Sequence, residues 1–461
     1  MYFTDDVFIA LFAILLIASY LLRRFPAFRE WLIIAFSAMV IASWGLFSLV
    51  LFFSVLAINF VATRAIAHST LPVSRFIVVI MIVFDVALLA IFKYSAFVNQ
   101  MFLHIFSTNV FPQFTLGIPL AISFYTFHLI SYIVDVHKGR VKIAGLRQYV
   151  FYLSFFPHVI AGPIVRAWQL MPQVGKTRSL TSDLPMGFHF LVVGAFFKSV
   201  VSDNIADVID PIWANNSDFL LSAADRWVTA FLYYCQIYAD FGGYSLMALG
   251  MARMLGYRLP ANFRSPMRAA SLQEFWRRWH ITLSHWLRDY LYIPLGGSRV
   301  AAPRWAANVL TTMLLGGLWH GAGWNFVIWG AMHGTGIVAE RMLGQHRTRA
   351  LTGTWIGWWI ITQVWVTMTW VFFRSNNLSN AFLYLEKMFN FMESNAFILH
   401  GPLRVALVFC LPVLLHHAYP LVLWRLRGLR LAGTLGALTG AMLVLTVVIY
   451  SPPKVFIYFK F

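Results

Sequence analysis

Long apolar stretches alternate with short polar connections from one end of the chain to the other. A helix of about 20 apolar residues is long enough to cross the hydrocarbon core of a bilayer. The pattern predicts about 11–13 membrane spans, with shorter re-entrant and interfacial helices between them. The stretches lie at 7–22, 31–63, 76–92, 114–134, 148–165, 182–198, 226–252, 305–339, 350–373, 405–424 and 431–453. We therefore predict an all-α, polytopic transmembrane protein.

The composition supports a membrane protein and argues against other classes. Apolar residues make up 60% of the 461 residues and charged residues only 11%, too few to cover a water-soluble surface. The first 22 residues lack the basic start and the small-residue cleavage site of a signal peptide, so we interpret them as a retained first span. Cys235 and Cys410 lie far apart in apolar stretches, which argues against a disulfide or metal framework.

The distribution of charge predicts an orientation in the membrane. Basic residues concentrate at 137–147 and 253–304, whereas aspartates dominate the 202–225 segment. Because Lys and Arg accumulate in cytoplasmic loops, we place both basic segments in the cytoplasm, and the acidic segment and the N-terminus outside. The same bias accounts for the net charge of +18, so no nucleic-acid partner is expected. Without a visible repeat or linker, residues 1–461 are predicted to form a single integral domain.

Residues 271–299 have the pattern of one amphipathic interfacial helix. Ser271 followed by Glu274 is typical of a helix start, and Pro294 is typical of its end. One face of this helix is apolar and rich in aromatic rings: Phe275, Trp276, Trp279, Leu283, Trp286, Leu287 and Tyr290. The other face is polar: Arg277, Arg278, His285, Arg288 and Asp289. Tryptophan and tyrosine on an apolar face are characteristic of a helix at the membrane surface.

The basic face of this helix has two explanations that the residues alone leave open. A helix at the cytoplasmic leaflet carries basic residues for that reason alone. Alternatively, Arg277 and Arg278 bind an anionic donor such as coenzyme A, because guanidinium groups suit phosphates. His280 lies at the border of the two faces, one turn from Ser284, and is either a cavity residue or a structural hydrogen-bonding group.

His320 is the strongest catalytic candidate. It lies in a run from residue 305 to residue 339 that contains no charged side chain, and ionisable groups at such depth often mark functional sites. Burial would keep a histidine neutral and available as a base. The flanking glycines, Gly317 and Gly321, permit close approach of a ligand, but they equally suit tight helix packing around a structural histidine. Asn325 follows in the same segment.

Two further polar groups occur within apolar stretches. His158 lies in a stretch broken by Pro157 and Gly162, which predicts a kinked or re-entrant segment beside a cavity. Asp240 lies deep enough in its stretch that we expect it to pair with a histidine or an arginine. Motifs for a zinc site, a P-loop, a dinucleotide fold or a nucleophile elbow are missing.

Several motifs resemble those of the membrane-bound O-acyltransferases, most strongly the membrane subunit of bacterial alginate O-acetyltransferases. The main matches are EFWRRWH at 274–280, WLRDYLYI at 286–293 and GGLWHGA at 316–322. Shorter matches in the family's order are at 122–125, 156–158, 161–163, 261–263 and 371–375. The motif-bearing core covers about residues 90–375, whereas the peripheral spans at 1–89 and 376–461 resemble the family only in hydropathy.

The resemblance implies a helical fold around a central tunnel and acyl transfer from acyl-CoA, with no permanently bound cofactor or metal. His320 corresponds to the family's essential histidine, and His280 to its second motif histidine. His320 is then expected to deprotonate the attacking hydroxyl, while His280 and Arg277 position the donor. Further candidates for donor binding or for lining the tunnel are Arg278, Ser284, Asn325, Asp240 and His158.

The resemblance also suggests a place and partners for the reaction. An alginate-type enzyme would lie in the bacterial inner membrane with its N-terminus in the periplasm. It would pass an acetyl group to periplasmic acetyltransferase or esterase-like proteins and on to a polysaccharide. Leu246 stands where alginate-type members carry an aspartate, so the acceptor stays open. The alternatives are peptidoglycan O-acetylation, D-alanylation of teichoic acid and, in another class, a transporter or flippase.

Overall fold

The computed structural model is helical and, over the residues it describes, contains no β-strand. The described residues are 3–108, 118–160, 162–176, 183–215, 221–344, 353–392, 399–423, 428–449, 454, 456 and 457. The residues that belong to predicted segments but lie outside the described ones are 114–117, Ala161, 182, 216–220, 350–352, 424 and 450–453. The all-α prediction is confirmed.

Six of the described helices are long and apolar enough to cross a membrane, so the chain is a multi-pass membrane protein. They are Asp6–Arg24, Leu46–Ala67, Leu71–Leu103, Leu184–Ala214, Thr354–Arg374 and Gly401–Ala418. The larger number of 11–13 spans, the tunnel and the orientation stay predictions.

The chain divides into two compact units, although the single integral domain with its core at 90–375 stays a prediction. One unit comprises Met1–Leu191 with Met247–Pro260, and the other Val192–Leu246 with Ala261–Phe461. The first nine helices are α1 Asp6–Leu21, α2 Pro26–Ala42, α3 Leu46–Ala67, α4 Leu71–Phe106, α5 Ile122–His137, α6 Leu146–Ser154, α7 Phe156–Val159, α8 Ala167–Leu170 and α9 Leu184–Ala195.

The first unit has an aromatic core around Phe156. The Phe156 ring lies 5.0 Å from that of Phe36 and 6.0 Å from that of Phe8, which join α7 to α2 and α1. Gly162 follows α7 where a side chain has no room, because a Cβ there would lie 2.2 Å from the Pro157 carbonyl oxygen. The 148–165 stretch is therefore kinked, as its Pro and Gly residues predict.

The remaining helices begin with a long interrupted segment. α9 continues through a π-helical turn, Phe196–Ser202, into α10 Asp203–Asn215. The other helices are α11 Ala223–Met254, α12 Leu272–Arg278, α13 Ile281–Leu287, α14 Ala302–His320, α15 Trp324–Met342, α16 Gly353–Arg374, α17 Leu378–Met388, α18 Gly401–Val408, α19 Leu411–Leu423 and α20 Gly428–Val448.

The prediction of one continuous helix over 271–299 is wrong. The segment forms α12, a break at Trp279 and His280, then α13 and a π-helical turn at Arg288–Tyr292. Ser271 caps α12 as expected, since its Oγ accepts the backbone N–H of Glu274 at 3.0 Å. Phe275 and Trp279 are fully buried. Burial of both rings within the protein, together with hydrogen bonds to Asn262 described below, accounts for a break that helical periodicity alone does not predict.

Glycines allow α14 and α15 to pack closely at the segment that carries His320. A Cβ on Gly317 would lie 2.3 Å from the Phe326 carbonyl oxygen, and one on Gly330 would lie 2.4 Å from that of Met313. Small residues at helix contacts permit such approach within membranes. The 305–339 stretch thus forms two helices that meet at residues 321–323.

We expect Gly317→Ala to lower the apparent unfolding temperature in detergent, because the added methyl group has no space beside Phe326. Overpacking of this kind typically costs about 1–3 kcal/mol. Gly357→Ala in α16 is the matched control, since a Cβ there meets nothing within 4 Å. Equal unfolding temperatures for the two variants, measured by scanning fluorimetry, would contradict the close packing.

Candidate active site

His280 occupies a break in the backbone. Its φ of +40° and ψ of +52° lie in the left-handed region, which is uncommon for any residue other than glycine. The ring is fully buried, and burial lowers the pKa of His280 to about 3 because charging it there would cost solvation energy. His280 is therefore neutral at physiological pH. Ser284 lies one turn further on, as predicted, and its Oγ donates to the His280 carbonyl oxygen at 3.2 Å.

His320 is the last residue of α14 and is 3% exposed. The chain leaves the helix at Gly321 in an extended conformation, so His320 lies at the C-terminal end of α14 and is not followed by another helical turn. The ring centroids of His320 and His280 lie 6.4 Å apart. The structure therefore brings together the two histidines that were predicted to be catalytic, although 40 positions separate them in the sequence.

Aromatic rings surround the two histidines. Trp329 from α15 and Phe373 from α16 lie 5.1 Å and 5.3 Å from the His320 ring. Phe241 from α11 lies 4.7 Å from the His280 ring, and Trp319 lies 6.0 Å from it. Apolar surroundings exclude water and strengthen hydrogen bonds at the site. Both rings are thus held in a dry environment that suits acid–base chemistry.

A basic cavity of about 350 Å³ opens beside α12 and α13. Arg277 and Ser284 line it, together with Arg288, and Trp276 and Trp305 provide apolar walls. The Arg277 side chain is exposed and donates to Gln273 at 3.1 Å, whereas Arg288 pairs with Asp289 at 2.8 Å. The cavity therefore offers guanidinium groups next to apolar surface, which suits a molecule with a phosphate end.

Arg278 lies on the same helix but does not line this cavity. Its guanidinium group pairs with Glu274 at 2.8 Å and donates to the carbonyl oxygen of Arg264 at 3.1 Å. These contacts tie α12 to the preceding loop. Donor binding by Arg278 stays a prediction.

Asp240 belongs to a buried ionic cluster and not to the expected pair with a histidine or an arginine. Lys198 Nζ lies 2.8 Å from Asp240 and 2.7 Å from Asp203, and all three side chains are at most 4% exposed. The backbone N–H of Ile457 donates to the second oxygen of Asp240 at 2.7 Å. Lys198 lies in the π-helical turn, where the altered backbone is a frequent feature of functional sites.

Asn325 and His333 make contacts between helices. The Asn325 amide donates to the carbonyl oxygens of Phe372 and Ser375, 3.2 Å and 3.0 Å away. It thus provides hydrogen-bond donors for carbonyl groups at the C-terminal end of α16. His333 Nε2 lies 3.1 Å from Thr369 Oγ1, which itself donates to Val366. His333 is therefore the donor in that contact. Asn325 as a tunnel residue stays a prediction.

His158 lies in the first unit. Its Nε2 donates to the Tyr152 carbonyl oxygen at 2.7 Å, and its ring lies 4.7 Å from that of His128. Both histidines are fully buried. These contacts hold His158 within the packed interior of the first unit. A tunnel role for His158 stays a prediction. Among the residues that the structure describes, no group of three or more His, Cys, Asp or Glu residues could hold a metal ion.

Sequence analysis missed two important residues. Asn262 contacts His280 from 18 positions away, and Lys198 forms ion pairs with two carboxylates. Asn262 lies inside a matched motif at 261–263, but the motif carries no sign of what the amide binds. A lysine near the end of an apolar stretch is ordinarily interpreted as a residue that reaches the membrane surface, so Lys198 gave no distinct signal.

Comparison with known proteins supports an acyltransferase. Residues 141–379 match the model of the membrane-bound O-acyltransferase family, a range that contains both His280 and His320. A protein of Pseudomonas aeruginosa named "Probable alginate O-acetylase AlgI" is 36% identical over 398 residues, which cover 85% of this chain and 75% of that protein.

Two other relatives are named for different activities. The "Peptidoglycan O-acetyltransferase" of Helicobacter pylori is 35% identical over 396 residues, covering 79% of this chain and 74% of that protein. The "Teichoic acid D-alanyltransferase" of Streptococcus thermophilus is 28% identical over 232 residues, covering 48% of this chain and 56% of that protein. The two acetylating relatives are therefore similar over most of the chain and the D-alanylating relative over about half.

We expect Lys198→Met to destabilise the protein strongly, because it leaves Asp203 and Asp240 as buried like charges. Removing one partner of a buried ionic group costs about 3–5 kcal/mol. The measurements are the yield of monodisperse protein and its unfolding temperature. Lys142→Met, at an exposed position, is the control. Adding Asp203→Asn and Asp240→Asn to Lys198→Met should restore part of the loss, and full stability of the single variant would contradict the cluster's role.

Proposed function

This chain belongs to the membrane-bound O-acyltransferase family, and we propose that it passes acetyl groups from acetyl-CoA across the bacterial inner membrane for O-acetylation of an extracellular polysaccharide, alginate-like or another exopolysaccharide. Family membership makes it an acyltransferase. The observation that carries the proposed mechanism is the pair of buried histidines 6.4 Å apart, His280 and His320, in the unit that also holds the basic cavity.

His320 is the proposed general base. It removes the proton of the attacking hydroxyl as the hydroxyl oxygen forms a bond to the thioester carbonyl carbon. The carbonyl oxygen then becomes an oxyanion, and the carbon–sulfur bond breaks when this intermediate collapses. The thiolate of the donor leaves and takes up the proton. The apolar rings of Trp329 and Phe373 beside His320 support this role, since they keep water from competing as the nucleophile.

The basic cavity is the proposed entrance for the donor. Arg277 would bind a phosphate of acetyl-CoA through a charge-assisted hydrogen bond, and Trp276 and Trp305 would contact the apolar arm. The positive charge of the 253–304 segment supports a cytoplasmic entrance, where acetyl-CoA is made. Acyl-CoA is thus a substrate in this proposal and not a bound cofactor.

The relatives support the proposed acyl group and the proposed acceptor. Two acetylating relatives, 35–36% identical over most of the chain, support acetyl over D-alanyl. Peptidoglycan is the second candidate acceptor, because the Helicobacter pylori protein is nearly as similar as the alginate-type ones. Transfer across the membrane would use periplasmic acetyltransferase or esterase-like proteins as partners, with the N-terminus of this chain on the periplasmic side.

We expect His320→Ala to abolish transfer of labelled acetyl groups from acetyl-CoA to the lumen of inside-out vesicles, because no base remains to deprotonate the hydroxyl. Loss of general base catalysis reduces the rate by about 10²–10⁴-fold. Partner proteins and polymer must be present on the lumen side. The polysaccharide and the peptidoglycan are then isolated separately, and the labelled acetate that each releases is measured. The two polymers distinguish the two candidate acceptors.

His68→Ala is the control for this experiment, since His68 is exposed at the end of α3 and should leave transfer unchanged. Membrane insertion of each variant is verified by its yield and unfolding temperature. Wild-type acetylation by a correctly inserted His320→Ala variant would overturn the assignment of the base. Absence of label in the lumen with the wild-type protein would overturn transfer across the membrane.

We expect Arg277→Ala to raise the KM for acetyl-CoA about 10-fold or more while kcat changes little, since one charge-assisted hydrogen bond is worth about 1.5 kcal/mol or more. Arg299→Ala is the matched control, because this exposed arginine lies in the same segment but does not line the cavity. An equal KM for both variants, in steady-state kinetics at low salt, would exclude the cavity as the donor entrance.

A further inference from the structure

Asn262 holds the residues around the break between α12 and α13. It is 1% exposed and lies in the loop that precedes α12. Its backbone carbonyl oxygen accepts the N–H of Ile281 at 2.9 Å. Its side-chain Oδ1 lies 2.7 Å from Thr282 Oγ1, 3.4 Å from the Thr282 backbone nitrogen and 3.3 Å from His280 Nδ1. One residue thus contacts three consecutive positions.

The orientation of the Asn262 amide follows from its partners. The backbone nitrogen of Thr282 can only donate a hydrogen bond, so the amide atom that faces it must be the oxygen. The amide nitrogen then points the other way, where it donates to Ser245 Oγ at 3.2 Å. A flipped amide would place two donors against each other at Thr282. Oδ1 is therefore the atom beside His280.

The oxygen beside His280 decides which ring nitrogen carries the proton. An amide oxygen has no hydrogen to donate, so a hydrogen bond from His280 Nδ1 requires a proton on Nδ1. In the neutral ring the other nitrogen, Nε2, then carries a lone pair. Since burial keeps His280 neutral, a single tautomer is selected.

We infer that Asn262 is a positioning residue that holds His280 as the Nδ1–H tautomer and so presents the Nε2 lone pair of His280 as a hydrogen-bond acceptor. This inference rests on the proposed function, in which His280 serves the acyl transfer.

The inference narrows what His280 does. A ring with a lone pair at Nε2 binds a hydroxyl or another donor group, and while neutral it offers no hydrogen bond from Nε2 to a thioester carbonyl. His280 would thus hold the attacking hydroxyl, or another group that carries a proton, near His320, whose ring centroid lies 6.4 Å away. Stabilisation of the oxyanion must come from other donors.

The tautomer is tested directly by 15N NMR of protein labelled at histidine, since protonated and unprotonated ring nitrogens differ widely in chemical shift. His280→Gln identifies the signals of His280. In the wild-type protein they should show Nδ1 protonated and Nε2 unprotonated at neutral pH. In Asn262→Leu they should shift towards a mixture of both tautomers. A wild-type ring protonated at Nε2, or an unchanged tautomer in Asn262→Leu, would overturn the inference.

Kinetics test whether the position of His280 matters for transfer. We expect Asn262→Leu to lower kcat by about 10²-fold while the KM for acetyl-CoA stays within about 3-fold. Asn262→Asp preserves the acceptor and should retain more activity than Asn262→Leu. Its carboxylate should also move the acidic limb of the pH–rate profile upwards by about one unit, because a nearby negative charge favours the protonated ring.

Two variants separate this role from a structural one. Thr282→Val removes the hydroxyl that shares Asn262 Oδ1 but keeps the amide oxygen beside His280, so the Nδ1–H tautomer should persist in the 15N NMR measurement. Asn308→Leu removes another buried asparagine, whose amide donates to the Gly297 carbonyl oxygen. It shows how much kcat falls when a buried asparagine that contacts neither histidine is lost. If Asn308→Leu lowers kcat as much as Asn262→Leu, and the pH profile of Asn262→Asp equals that of the wild type, Asn262 is structural and the inference is wrong.

Failure of the inference is distinguishable from failure of the proposed function. The NMR measurement depends on the folded protein alone, without any substrate. If the wild-type tautomer is as inferred but His280→Gln keeps full activity, the proposed use of His280 is wrong while the role of Asn262 in orienting the ring stands. If His280→Gln is inactive and the tautomer differs, the inference falls and the proposed function stands.

Discussion

The hydrogen bonds between Asn262 and residues 280–282 hold the break in the 271–299 segment on which the arrangement of the site depends. A continuous helix would keep its amides in its own ladder and would place His280 on the surface of a cylinder. The break separates α12 from α13, and the loop that precedes α12 supplies the partners that the freed backbone groups need. A left-handed residue that is not glycine persists only where its surroundings hold it, and at His280 they do.

Satisfying polar groups inside an apolar protein explains several other features. Lys198 lies between Asp203 and Asp240, and the backbone N–H of Ile457 donates to Asp240. Asn325 completes the end of α16. Groups without such partners would cost several kcal/mol each in surroundings that contain no water. The polar residues of this unit therefore act largely as connections between helices.

Sequence analysis predicted the candidate catalytic pair but not its geometry. His320 stood out because it interrupts an uncharged run of apolar residues, and His280 because it lies in a matched motif. Arg277, which was placed on the polar face of the predicted helix, lines the cavity, and so does Ser284, which was expected one turn from His280. Asp240 was expected to meet a histidine or an arginine and instead meets Lys198, since neither spacing nor hydropathy reveals which distant helix supplies a partner.

The sequence by itself determined the fold class, the membrane location and the family, because these depend on the length of apolar stretches and on the local order of motifs. It also indicated which histidines to consider. Only the tertiary structure decided that His280 lies at a left-handed break, that its ring lies 6.4 Å from that of His320, and that Asn262 supports it. These features arise from hydrogen bonds and packing between residues far apart in the chain, which helical periodicity does not record.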